Sequence, residues 1–276
     1  MTTLRMTRQP SVAGMFYPAD PNMLERQLTG LFERSPAGAI QGPVRGLIAP
    51  HAGYIYSGAT AAAGYSHVKG KKFETVIIVA PSHRDCFEGA SVYSGEAYQT
   101  PLGLVAVDAD LRAALLKASD RVVAGEAGHR SEHAVEVQLP FLQVTLGSFK
   151  ILPIVMGEQH RSLCFSLAEA LIRVVKGRDV LFVASTDLSH YHTAKIADAI
   201  DGVTIADVRA FDHQRLMDDL DSGAAEACGG GPTVAVMGAL RGLGVKHMEI
   251  VHHCNSGDVA GDRQNVVGYL SAVAWS

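Results

Sequence analysis

The chain has 276 residues, a formal net charge of -4 and a pI near 6.3, with no run of basic residues to grip a phosphate backbone, so a nucleic-acid partner is excluded. No apolar run reaches the roughly 18 residues needed to span a bilayer. The N-terminal Met1-Thr2-Thr3-Leu4-Arg5 lacks a secretory apolar core, and the four cysteines form no CxxC pair. The expectation is a soluble, cytoplasmic protein whose thiols are free, packed in the core or used as ligands.

In chain order, Ser11 to Pro18 is a short apolar stretch. Asp20-Pro21 then offers an N-cap with proline at the first helical position, and Leu24, Leu28, Leu31 and Phe32 recur at helical spacing. A helix over Pro21 to Arg34 is predicted. A Pro/Gly-rich loop over 35–43 leads into Leu47-Ile48-Ala49-Pro50-His51, an apolar run that ends on a proline and a histidine. Gly53 permits a tight turn, and Ala59 to Tyr65 reads as a helix whose small residues allow close approach to a sheet.

The same grammar returns at Val76 to Ala80, followed by Pro81-Ser82-His83. Ala90 to Tyr93 and Tyr98 to Gly103 read as a short strand and a proline turn, and Ala109 to Ala118 as a helix. Next, Ser131 is placed to cap a helix in which His133, Val137 and Pro140 share a face, with Glu136 beside His133 and proline bending or ending the run. Ile151 to Met156 is a buried strand, and Arg161 to Lys176 a helix with an apolar stripe.

The third strand of the set, Val180 to Ala184, runs into Ser185-Thr186-Asp187-Leu188-Ser189-His190. Residues 194–220 are polar and helical. Ala224 to Thr233 precedes an apolar helix over Val234 to Leu243, with Pro232 in its first turn. The glycines there free backbone amides, and Cys228 at a helix N-terminus is expected to have a lowered thiol pKa. Strands over Lys246–His252 and Val266–Val273 flank a polar loop.

Runs buried on both faces suit the centre of a sheet, so the expected fold is a single α/β domain over 1–276: a mostly parallel or mixed central sheet with helices on both faces. If the histidine-bearing strands are parallel neighbours, His51, His83 and His190 share one rim, where ligands of open α/β sheets bind. With Asp187 and Cys228, and His133 beside them, they offer two imidazoles and an anionic ligand, carboxylate or thiolate, to a divalent transition metal. His190 is then a ligand or an acid/base, with Asp187 orienting it or binding metal.

Taken together, the 47–54 and 80–83 elements, Glu132-His133-Ala134-Val135-Glu136, Ser185 to His190 and Cys228-Gly229 resemble the Memo family, whose prokaryotic members are also called AmmeMemoRadiSam system protein B. The likeness runs from about Pro10 to Val273. It implies a fold similar to class III extradiol dioxygenases, which use non-haem iron(II). By this likeness His51, His83 and Cys228 match metal-binding positions and Asp187 and His190 match other pocket residues; with His133 from the residue reading, Asp187 and His190 are the catalytic candidates. The likeness makes Fe(2+) the expected cofactor; the dioxygenases use two histidines and a glutamate, whereas a thiolate at Cys228 favours softer metals and makes copper the alternative. Three functions follow: an oxidoreductase on an unidentified small molecule; a metal-binding adaptor partnered with a radical S-adenosylmethionine protein and a small protein; and a cysteine hydrolase with Cys228 as nucleophile and His190 as base.

Overall fold

The computed structural model describes residues 7–276; the N-terminal stretch read above as lacking a secretory signal lies outside them. The chain begins with β1 (Thr7–Arg8), α1 (Pro21–Arg34), β2 (Val44–Ala49), α2 (Tyr54–Tyr65) and β3 (Thr75–Pro81). It continues through β4 (Ala90–Tyr93), β5 (Ala97–Thr100), β6 (Gly103–Val107), α3 (Ala109–Ala118), β7 (Val122–Gly125), α4 (Leu139–Leu146), β8 (Lys150–Met156) and α5 (Arg161–Val175). The remaining elements are β9 (Val180–Ser185), β10 (His190–His192), α6 (Ala194–Ala210), α7 (His213–Ser222), α8 (Gly230–Gly242), β11 (His247–Asn255), α9 (Ser256–Ala260) and β12 (Val266–Trp275).

The strands form one mixed sheet in the order β1-β5-β6-β8-β3-β9-β2-β12-β10, with β11 on the other edge of β12, and β4 joining β8 to β7. The centre, β8-β3-β9-β2, is parallel, and the antiparallel pairings lie towards the margins. β9 therefore seats between the two earlier histidine-bearing strands, pairing Val79 with Ala184 on one side and Ala49 with Ser185 on the other. All three strand ends reach the same rim.

Alternate residues of the central strands feed two cores. Ile48, Ile77, Ile154 and Phe182 pack under α3, α5, α7 and α8, while Leu47, Ile78, Val155 and Val183 pack under α1, α2 and α4. That is why the strands read as continuous apolar runs: neither face meets water. α1 starts as its sequence dictates, with Asp20 accepting the Met23 amide at 2.9 Å and Leu24, Leu28, Leu31 and Phe32 buried. On α2, a Cβ at Gly64 would lie 2.2 Å from Ser271 Oγ of β12, so the small-residue face sits hard against the sheet.

Several local expectations differ from the structure. No helix begins at Ser131; residues 131–135 form an irregular turn, a short 3-10 segment covers Glu136–Gln138, and Pro140 lies in the first turn of α4 rather than ending a helix. Proline lacks the amide that a first turn leaves unbonded, so it starts a helix more readily than it continues one. α2 begins at Tyr54, five residues early. The polar loop after Cys254 contains α9, fastened by a capping box between Asn255 and Asp258. β1, β7 and β10, two to four residues each, are too short to carry periodicity.

Candidate metal centre

Two strand ends and the turn before one helix meet at the common rim. β2 delivers His51, buried; β3 delivers His83, partly exposed; and Cys228, half-buried, comes from the turn before α8. One ligand atom from each lies within 4.8 Å of the others. With metal–sulfur and metal–nitrogen bonds of about 2.3 and about 2.1 Å, two ligands of a tetrahedral ion stand roughly 3.6 Å apart, so the three fit one ion with little adjustment. Cys228 Sγ is 3.2 Å from His51 Nε2. Burial, reinforced by the neighbouring rings of His133, His83 and His190, holds His51 well below its ordinary pKa, which keeps the ring neutral as a ligand must be.

Glu132 organises the other half. Its Oε1 accepts the amides of His133 (2.8 Å) and Ala134 (2.9 Å) and faces His83 Nδ1 at 3.1 Å, while Oε2 takes the His83 amide at 2.5 Å. Burial alone would raise this carboxyl, but the hydrogen bonds it accepts from the His83 ring and amide outweigh it and hold Glu132 at about 2. An ionised carboxylate only accepts, so His83 Nδ1 donates and its Nε2 keeps the free lone pair. His83, Glu132 and His133 are also mutually close, yet Oε1 already receives three hydrogen bonds, so this carboxylate is engaged in orienting the His83 ring and the 132–134 turn.

His133 stacks on His83 with ring centroids 5.0 Å apart, stands edge-on to His51 at 5.4 Å and packs beside Phe16 at 4.8 Å. Burial lowers its pKa to about 4. Glu136, expected beside it, points away: fully buried, it pairs with Arg8, accepts the Tyr17 hydroxyl and takes the Ser11 and Val12 amides at 2.9 and 3.1 Å. Asp187 does not orient His190. Its Oδ1 accepts the His51 amide at 2.8 Å and its Oδ2 lies 4.0 Å from His51 Nε2, and burial raises it to about 7. His190 instead directs Nδ1 to the Leu188 carbonyl at 2.8 Å, leaving Nε2 free for proton exchange. The ring nitrogen within hydrogen-bond reach of Cys228 is that of His51, so a Cys228–His190 nucleophile–base pair is not formed.

Cys228 also departs from expectation. Burial, and then the Asp187 carboxylate, push its thiol up rather than down. The Gly229 and Gly231 amides donate to Thr186 Oγ1 at 2.9 Å and Gln159 Oε1 at 2.8 Å, and the Asp187 amide donates to the sulfur at 3.3 Å, but burial outweighs these favourable dipoles. A Cβ on Gly229 would come within 2.2 Å of the Ser185 carbonyl, and this close approach of α8 to β9 brings Cys228 to the rim. Sequence reasoning missed Glu132, Ser185 and Gln138. For Glu132, the spacing Glu-His was a usable signal, masked by the assumption of a helix.

A mixed, mostly parallel α/β sheet carrying a His-His-Cys cluster at the ends of its central strands defines the class. Residues 8–273 match the model of the Memo-like protein family. Similar chains include MEMO1 family proteins of Methanothermobacter thermautotrophicus, 36% identical over 273 residues covering 96% of this chain and 99% of that protein, and of Methanosarcina mazei, 39% identical over 269 residues covering 96% and 98%. The chain belongs to the Memo family. Its fold is also that of an uncharacterized protein from Escherichia coli K12, whose crystal structure superposes with a TM-score of 0.57 at 13% identity, covering 84% of this chain and 99% of that one.

Proposed function

We propose that His51, His83 and Cys228 hold one divalent transition metal and that the chain is a redox enzyme acting on a small organic molecule, with iron(II) as the metal and copper as its alternative. The observation that carries this is the convergence of two imidazole nitrogens and one sulfur within 4.8 Å at the rim of a parallel sheet. Two nitrogens and a thiolate suit iron or copper better than a hard, oxygen-seeking cation. When bound, the metal supplies open positions and electron transfer to substrate.

The chain's residues do the rest. Glu132 fixes the ring of His83, and burial keeps His51 neutral. His190 holds or releases a proton at Nε2, and His133, backed by Glu132 at 3.2 Å, is a second group for that task. A thiol ligand must stay reduced, which supports a cytoplasmic location.

Anaerobic purification with metal analysis, followed by oxygen uptake with catechols, thiols and reductants, is the test. One iron per chain and substrate-dependent uptake are expected. Bound metal without uptake, combined with capture of a radical S-adenosylmethionine protein, would transfer the role to an adaptor. Absence of metal under all loading conditions would end the proposal.

A further inference from the structure

Ser185 closes β9 opposite Ala49 of β2 and has no accessible surface. Its Oγ meets three partners: the Ala134 carbonyl at 2.7 Å, Gln138 Nε2 at 2.8 Å and His51 Nδ1 at 2.9 Å. A hydroxyl has one proton to give and two lone pairs to receive with. The Ala134 carbonyl can only accept, so it takes that proton.

The Gln138 amide cannot be turned round. Its Nε2 also lies 3.0 Å from the Pro50 carbonyl, which has nothing to donate, and its Oε1 receives the Tyr65 hydroxyl at 2.8 Å. Nε2 therefore donates to Ser185. One lone pair of Oγ remains, and His51 Nδ1 faces it. Were that nitrogen bare, two lone pairs would confront each other across 2.9 Å between two buried side chains. Nδ1 must carry the hydrogen. His51 is then locked with its lone pair on Nε2, the atom 3.2 Å from Cys228 Sγ.

We propose that Ser185, held in one orientation by Gln138 and the Ala134 carbonyl, is the positioning residue that sets the tautomer of His51 and presents its Nε2 as a metal ligand. Both imidazole ligands are then set from behind at Nδ1, His83 by a carboxylate and His51 by a neutral hydroxyl. The carboxylate makes its ring the more basic donor, while the hydroxyl fixes orientation without adding charge. The ligand role rests on the metal reading above; the tautomer is a property of the chain alone.

Two measurements separate these. With ring-nitrogen-15 histidine, long-range proton–nitrogen NMR of the metal-free protein identifies which nitrogen of His51 bears hydrogen, the signal being assigned by its loss in His51→Gln. The wild type is expected to show hydrogen on Nδ1, Ser185→Ala a shift towards Nε2, and Ser185→Thr, which keeps the hydroxyl, recovery of the wild-type pattern. In parallel, cobalt(II) titration followed by thiolate charge-transfer absorption is expected to show roughly a 10- to 100-fold weaker affinity for Ser185→Ala, with recovery in Ser185→Thr.

Hydrogen on Nε2 in the wild type, or a Ser185→Ala variant that changes neither tautomer nor affinity, overturns the proposal. The wild-type spectrum decides even if the alanine variant does not fold. A wild type with hydrogen on Nδ1 that binds no cobalt defeats the metal reading and leaves the tautomer assignment standing.

Discussion

Cys228 and Glu132 differ in what they do for a metal, and substitution separates the two roles. In the proposed site Cys228→Ser removes one of the three ligands, so metal content of the purified protein should collapse. Glu132→Gln removes the charge that fixes His83 and should weaken affinity by roughly 10- to 100-fold while leaving stoichiometry intact, as read by competitive titration. Equal losses for both variants would show that Glu132 does more than orient a ring.

His129 gives a pH signature at the same scale. It is buried, with Nδ1 2.6 Å from the Tyr98 hydroxyl and Nε2 3.2 Å from the Ser91 carbonyl, and burial depresses its pKa from 6.5 to about 4. The unfolded chain thus binds the extra proton first. The contribution of this residue is fully present above pH 6.5 and is lost as pH falls towards 4, by about 3 kcal/mol in all. Urea unfolding across this window should show the loss, and His129→Asn should flatten that part of the profile. A difference between the wild-type and His129→Asn stabilities that stays constant from pH 6.5 to 4 would contradict it.

At the scale of elements, two contacts decide whether the rim assembles. Arg8 of β1 donates to the carbonyls of His129 and Glu132 and pairs with the fully buried Glu136, tying a two-residue strand to the turn that carries Glu132. Arg8→Ala leaves that carboxylate buried and unpaired, at a cost of about 3–5 kcal/mol measurable by chemical denaturation. Gly229→Ala drives a methyl group into the Ser185 carbonyl. It should cost about 1–3 kcal/mol and, by pushing α8 from β9, weaken metal binding even though every ligand is retained.

The same elements show what could be read in advance. His51, His83 and the 185–190 turn were legible because strands buried on both faces leave an unbroken apolar run and stop where the sheet stops. Asp20-Pro21 and the period of α1 were equally plain. The turn over 131–135 was not, because its conformation comes from side-chain-to-backbone bonds, Glu132 to three amides and Arg8 to two carbonyls, that no periodicity records. The Cys228 thiol was misjudged for a related reason: the helix end is visible in the sequence, but the burial of the sulfur and the Asp187 carboxyl beside it come from the tertiary fold.

For the whole molecule, metal and fold should be linked. The proposed ligands come from three separate places in the chain, and the unfolded polypeptide gathers none of them, so an ion binding the native state alone would stabilise it by about 2.7 kcal/mol at a hundredfold excess over the dissociation constant. Thermal unfolding should therefore shift upward with metal in the wild type and stay put in Cys228→Ser. A shift of equal size in both would place the stabilising ion elsewhere.

The insertion of β9 between β3 and β2 bears on how the polypeptide is born. About a hundred residues separate Pro81 from Val180, so both flanking strands leave the ribosome long before the one that joins them. At translation speeds of about 5–20 residues per second, that interval is on the order of 10 s. Through it, two greasy edges wait without their shared neighbour, and nascent molecules on one messenger can cross-pair. Slow codons within this interval should raise inclusion-body yield, while holdase chaperones should lower it.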